Sequence, residues 1–261
     1  MSQYKKPRVW QWKEAKEEVA GNRPTAGPRF KKELPRGKEP LQVYSLATPN
    51  GIKVAILLEE LKEAKVAGAG YDLYKIDISQ GDQFGSDFVA LNPNSKIPVL
   101  LDQSLDEELA IFESGSILYY LADKYQIFLP SDIAGRTECL NWIFWQTGTG
   151  PYLGGGFGHF YNYAPFDQEY PIDRYTMEAK REFDLLDQRL KDRKYILGDQ
   201  YTITDMMIWP WYGRIALGDV YPGADEFLNV KEYPHLLAWT QRLQGRPAVQ
   251  RAINLKYKSL N

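Results

Sequence analysis

The hydrophobic pattern changes period once, at Leu129-Pro130-Ser131, and that change limits the folds open to the chain. Before the break, short alternating runs are interleaved with helical stripes. Leu41-Gln42-Val43-Tyr44-Ser45-Leu46 alternates as a strand does. Val54, Leu57, Leu58 and Leu61 then fall at i, i+3, i+4 and i+7, one face of a helix. Residues 71–77 read as a second strand, 97–101 as a third and 110–112 as a short fourth. Ile117, Leu118, Leu121 and Tyr125 return to helical spacing. Beyond the break nearly everything is helical. Tyr175, Ala179, Phe183, Leu186 and Leu190 form a stripe on one long helix. Thr202-Ile203-Thr204-Asp205 has the form of a capping box with Asp in place of Glu. It opens a helix that Pro210 is expected to bend. Pro234 suits the first residue of another, ended by Gly245-Arg246-Pro247. The expected organisation is an arm over 1–40, an α/β domain over 41–129 and an all-α domain over 130–261.

Several function classes drop out on composition. The single cysteine, Cys139 in CLNWIFW, rules out an intrachain disulfide, a CxxC redox pair and a cysteine-rich zinc site. On an aromatic helix face it reads as a small buried hydrophobe. His159 and His235 are the only histidines, too few for the usual metal constellations, so no metal is expected. No phosphate-binding G-x-x-x-x-G-K-[ST] run occurs. No apolar run approaches the length of a membrane helix, and residues 1–18 lack the apolar middle of a secretory signal, so a cytoplasmic protein is expected. The net charge of −2 is uneven: residues 1–40 carry 11 Lys and Arg against 5 Glu, leaving −8 on the remainder. Such an arm could meet nucleic acid, a membrane or a small anion, or lie on its own acidic domain. The acidic pI of about 5.9 argues against nucleic acid.

Pro98 stands at the mouth of the third strand, where its missing N–H removes a ladder hydrogen bond. By itself it reads as an edge-strand proline. Four stretches give it a context: YSLATPNG (44–51), NPNSKIPVL (92–100), FESGSILYYLADKY (112–125) and YTITDMMIWPW (201–211). Together, over roughly residues 40–250, the chain resembles the cytosolic glutathione transferases. The PNG of the first stretch, LGGGFGHFYNYAP (153–165) and the arm with NRP (22–24) resemble the nu class. These are bacterial disulfide-reductase-type enzymes related to the yeast nitrogen-regulator prion protein. The resemblance implies a thioredoxin-like domain, a helical C-terminal domain and a homodimer. It also implies that Pro98 is cis and turns the backbone of Ile97 outward, to hydrogen-bond the cysteinyl unit of glutathione like an added strand.

Ser114 directly precedes a helical stripe, and free N–H groups at a helix start bind carboxylates. The resemblance places the γ-glutamyl carboxylate on Ser114 and the γ-glutamyl amine on Glu113, with Gln83 a polar contact and Lys96 on the glycyl carboxylate. The loop 46–51 holds no cysteine, which argues against a mixed disulfide with the protein. The resemblance implies a thiol donor near the start of the first helix, where Thr48 and Asn50 remain with Tyr44 and Ser45 in the strand, and Thr48-Pro49 is also a helix cap followed by a first-turn proline. Lowering a thiol pKa from about 8.5 to about 6.5 takes roughly 2.7 kcal/mol. A helix N-terminus offers about 0.3–1 kcal/mol and one hydrogen bond to a charged group about 1.5–3, so a single donor and the dipole suffice.

The family pattern further implies a second glutathione, sulfur facing sulfur, held by Asn22, Arg23 and Arg174, with Thr147 and Tyr161 within reach. Two bound thiols could reduce a disulfide and leave as oxidised glutathione. The glycine run 153–158 cannot be a regular helix without cost and suits an open, wet second-substrate pocket, in which His159 reads as a hydrogen-bonded structural residue, with a proton shuttle the alternative. The expected function is a glutathione-dependent disulfide reductase with organic hydroperoxide reduction as a side activity. Glutathione is its co-substrate, small disulfides or hydroperoxides its partners. The alternatives are conjugation of electrophiles and a non-catalytic glutathione-binding regulator. No Gln/Asn-rich tail favours the last.

Overall fold

The structure is a computed structural model that describes residues 4–12 and 23–260. Four strands, β1 (Leu41–Ser45), β2 (Tyr71–Lys75), β3 (Val99–Asp102) and β4 (Leu109–Phe112), form one mixed sheet in the order β2-β1-β3-β4. β1 and β2 run parallel; β3 is antiparallel to β1 and to β4. The register aligns Leu73, Val43, Leu100 and Ile111 across one face, where they join the main core. Tyr74, Tyr44 and Val99 line the other with Ile76 and Phe88, and the rings of Tyr44 and Tyr74 stack 5.5 Å apart. β3 is buried at all four positions, which is why Val99-Leu100-Leu101 forms a continuous apolar run.

α1 (Pro49–Glu63) joins β1 to β2, α2 (Ser86–Leu91) precedes β3, and α3 (Ser114–Tyr125) follows β4. This is a thioredoxin-like domain, and the Ile97–Pro98 peptide bond is cis. The helical domain contributes α4 (Ile133–Pro151), a π-helical stretch (Tyr152–Tyr163), α5 (Glu169–Leu190), α6 (Ile203–Ala216), α7 (Ala224–Phe227), α8 (Pro234–Gln244) and α9 (Pro247–Ile253). The stripe from Tyr175 to Leu190 lies on α5. The capping box at Thr202 opens α6, which continues through Pro210.

Two expectations are corrected. The pattern of α1 predicts one buried face, yet every residue from Gly51 to Leu61 is buried, charged ones included. The helix shares the main core with the sheet and packs against α3, α6 and α9. Glu60 accepts two hydrogen bonds from Arg246, at 2.7 and 2.8 Å, and Glu59 is held by Arg251 and by the Tyr71 hydroxyl, both at 2.6 Å. Charges of this kind enter an interior only when paired. The second concerns His159, which directly follows the glycine run; as expected, that run is not a regular α-helix. It remains helical but with the wider π spacing: the Ala164 N–H reaches the His159 carbonyl at 2.7 Å, five residues back. Its glycines admit neighbouring rings, since a Cβ on Gly154 would sit 2.8 Å from Trp211 and one on Gly156 2.4 Å from Tyr175. His159, expected to be hydrogen-bonded, is instead exposed, and its ring packs edge-on against Phe160 with no side-chain hydrogen bond among the described residues.

Residues 29–36 of the basic arm lie on the α/β domain. Phe30 bridges to Gly85, the Arg29 guanidinium sits 3.3 Å over the Phe84 ring, and Lys32 and Arg36 pair with Asp82 and Glu108. At the far end of the chain, Lys258 extends the sheet beyond β2: its carbonyl accepts from Lys75 N–H and its N–H donates to Leu73. No helix among the described residues is long and apolar enough to cross a membrane.

Candidate active site

The N-termini of α1 and α3 converge on a cleft of about 550 Å³ between the two domains. Its walls include Thr48, Asn50, Gln83, Lys96, Ile97, Pro98, Glu113, Ser114 and, from the helical domain, Tyr163, Trp211 and Tyr221. Two positive helix ends and a lysine favour an anionic occupant.

At the start of α1 both candidate donors have their acceptor atoms engaged from behind. Thr48 caps the helix, its Oγ1 accepting the Gly51 N–H at 3.4 Å, so its own proton is free to point into the cleft. Gly51 is required there: a Cβ would lie 1.9 Å from the Leu46 carbonyl oxygen. Asn50 Oδ1 accepts the indole N–H of Trp211 at 2.9 Å. An indole nitrogen only donates, so this contact fixes which end of the Asn50 amide is oxygen and leaves the NH₂ as the free end. Tyr44 is committed elsewhere: its hydroxyl donates to the Pro35 carbonyl at 2.8 Å, and burial pushes its pKa up to about 12.

Across the cleft, no backbone hydrogen bond of Ile97 closes onto the described chain, so its N–H and C=O remain available to an extended ligand. Lys96 is held through its carbonyl by Asn92 Nδ2 at 2.7 Å. Gln83 is buried, and its Oε1 has no hydrogen-bond partner within the described structure. Glu113 takes φ 67°, ψ 121°, a left-handed-side conformation that costs a non-glycine residue about 1–3 kcal/mol and is found where a site demands it. Ser114 follows at the first turn of α3.

Behind Ser114 a second compartment of about 250 Å³ opens, shared with Asn50, Glu113 and Trp211 and walled by Lys53, Gln146 and Thr147. Lys53 was not singled out by the sequence. It is buried, donates to Gln146 Oε1 at 2.7 Å and approaches Ser114 Oγ at 3.5 Å, and burial lowers its pKa to about 7 against the opposing pull of Glu113. Its one sequence signal is a lysine inside an apolar helix, IKVAILL. Trp211 was legible only as part of a motif.

The remaining expected residues are placed as follows. Arg23 lines a hollow of about 310 Å³ that adjoins the cleft through Asn94, Ser95 and Lys96. Asn22 lies outside the described residues. Thr147 lines the rear compartment and donates its hydroxyl to the Ile143 carbonyl at 2.9 Å. Two are not brought into the cleft. Arg174 pairs with Glu178 at 2.9 Å along the exposed side of α5, and the Tyr161 hydroxyl donates to the Pro222 carbonyl at 3.1 Å. A helical stripe reports spacing but not which way the flanking charge turns, and the π geometry swings Tyr163, instead of Tyr161, to the cleft wall. Cys139 is fully buried in α4, and burial pushes its thiol up to about 12.

This arrangement, a thioredoxin-like domain with donors at its first helix and a helical domain closing the cleft, defines a class: the chain belongs to the glutathione S-transferase family. Its N-terminal domain model matches residues 39–123 and its C-terminal domain model residues 169–242. Within the family the chain is of the YghU-like type. It is 55% identical to the disulfide-bond oxidoreductase YghU of Escherichia coli, over 95% of this chain and 86% of that one. A solved glutathione transferase YghU from Streptococcus pneumoniae, complexed with glutathione, superposes with a TM-score of 0.95 at 54% identity, covering 99% of this chain and 100% of the other. A Burkholderia graminis glutathione transferase with two glutathione molecules bound per subunit gives 0.76 at 40% identity, over 83% and 88%.

Proposed function

We propose that the protein is a glutathione-dependent disulfide reductase of the nu class. Two glutathiones supply both sulfurs, and no protein cysteine takes part. The observation that carries this reading is the start of α1, where Thr48 and Asn50 offer donors to a thiolate while the one cysteine is buried in the helical domain. Glutathione lies with its γ-glutamyl end at Glu113, Ser114 and Gln83, its cysteinyl unit on the Ile97 backbone and its glycyl carboxylate near Lys96. The first thiolate attacks one sulfur of the substrate disulfide and expels a substrate thiolate, which takes up a proton. The second thiolate attacks the mixed disulfide, releasing the other substrate thiol and oxidised glutathione. Two glutathiones and one disulfide thus yield oxidised glutathione and two thiols. With a hydroperoxide in place of the disulfide, the products are an alcohol, water and oxidised glutathione.

The hollow at Arg23 beside Lys96 is where the arm, residues 1–40, would steady the second glutathione. A homodimer fits the exposed apolar residues Ile133 and Phe144 on α4 and Tyr170 and Met177 on α5. The test is calorimetric titration with glutathione alongside reduction of a small disulfide, using the intact protein and Cys139→Ser. Two sites per subunit and turnover retained in the variant are expected. One site without disulfide turnover refutes the reading.

A further inference from the structure

Among the described residues Lys53 is the one buried cation lining the rear compartment, and nothing in the thiol chemistry uses it. Its surroundings are shaped to hold it. Gln146, itself buried, accepts from Nζ at 2.7 Å, and Ser114 Oγ lies at 3.5 Å on the side facing the cleft. An ammonium has donors only, so Ser114 must present a lone pair to it and turn its own proton toward a ligand. Among the described residues, the groups facing Lys53 from neighbouring elements are neutral apart from one. α4 presents Gln146 and Thr147, α6 presents Met207 and Trp211, and the π-helical stretch presents glycines; Glu113 alone is charged.

A buried ammonium with one neutral amide partner and one exposed carboxylate neighbour is under-compensated. An α-carboxylate docked on Ser114 would supply the missing countercharge. We propose that Lys53 is a positioning residue for the γ-glutamyl α-carboxylate, the counter-cation that orients the Ser114 hydroxyl and completes its charge balance only when that carboxylate is bound. The inference rests on the glutathione reading above and deepens it.

A consequence follows that a packing role would not produce. In the free protein, above about pH 7, Lys53 is largely neutral because burial has lowered its pKa. The arriving carboxylate favours the ammonium, so binding takes up a proton. Below that pH the proton is already in place and uptake vanishes. Affinity therefore falls as pH rises above about 7, by up to about tenfold for each pH unit, the limit for one linked proton.

The experiment measures proton uptake on binding S-methylglutathione, whose blocked sulfur releases no proton of its own. Calorimetry is run near pH 8 in two buffers of different ionisation enthalpy. Uptake approaching one proton is expected for the intact protein. None is expected for Lys53→Met, a variant of similar length that removes a buried charge, and none for the analogue bearing 4-aminobutyrate in place of γ-glutamate, which lacks the α-carboxylate. Binding of S-methylglutathione without uptake overturns the inference, as does equal uptake by Lys53→Met. Should that variant not fold, equal uptake with both ligands overturns it instead. If S-methylglutathione does not bind at all, the glutathione reading itself falls and this inference with it.

Discussion

Asn50→Ala separates two jobs that one hydrogen bond joins. In the intact site the Asn50 amide presents its NH₂ to the cleft while its oxygen accepts from Trp211 at 2.9 Å. A hydrogen bond to a charged group contributes about 1.5–3 kcal/mol, so losing it should raise the bound thiol's pKa by about one to two. The same change orphans the indole N–H of Trp211, a nearly buried donor, at a cost of about 1–3 kcal/mol in stability. Trp211→Phe alone acts differently. It frees the amide to flip, and a thiolate can reselect the donor orientation for about 0.4 kcal/mol, which moves the thiol pKa by only about 0.3. The double variant should then recover most of the stability lost in Asn50→Ala, because neither partner is left unsatisfied, while its thiol stays weakly acidic. Thiolate ultraviolet absorbance against pH reads the first quantity, and urea unfolding reads the second. An unchanged thiol pKa in Asn50→Ala, or an equal rise in Trp211→Phe, would refute the assignment of Asn50 as the donor.

Gly156→Ala should destabilise the fold by about 1–3 kcal/mol in urea unfolding, because the new methyl would meet the Tyr175 ring at 2.4 Å, whereas Gly155→Ala points into open space and should escape that clash. The Glu182 carboxyl accepts from the Tyr212 hydroxyl at 2.9 Å, and burial pushes its pKa up to about 7 from its ordinary 4.5. The folded protein therefore holds a proton that the unfolded chain has released, and this group's contribution to stability is lost as pH rises from about 4.5 to about 7. Glu182→Gln should flatten that part of a stability-against-pH profile; an unchanged slope would mean the carboxyl is ionised in the fold.

What the sequence made legible was whatever one chain segment decides locally. The first strand is legible because residues 41–46 alternate, the α6 cap because Thr202 and Asp205 are three apart, and the start of α1 because Thr48-Pro49 is a cap followed by a first-turn proline; the donor role of Thr48 and Asn50 came only with the family resemblance. What it hid depends on partners distant in the chain. The burial of α1 on every side is made possible by Arg246 and Arg251, 186 and 192 residues away, which neutralise Glu60 and Glu59. The orientation of Asn50 comes from Trp211, 161 residues on. Lys53 was not singled out because periodicity marks a buried face only when the opposite face is wet, and α1 is buried all round. The glycine run signalled its penalty in a regular helix, but not the π spacing that the rings of Trp211 and Tyr175 accommodate.

The pairing of Lys258 with the outer edge of β2 has a consequence for synthesis of the chain. That edge lies in the first-made domain, yet its hydrogen-bonding partner is translated 183 residues after Lys75. At roughly 5–20 residues per second the ribosome leaves the edge without this partner for about 9 to 37 seconds. Arg246 and Arg251, which neutralise the buried acids of α1, arrive only shortly before it. The thioredoxin-like half is thus made early but finished late, and its sheet edge is open to a neighbouring nascent chain throughout that interval.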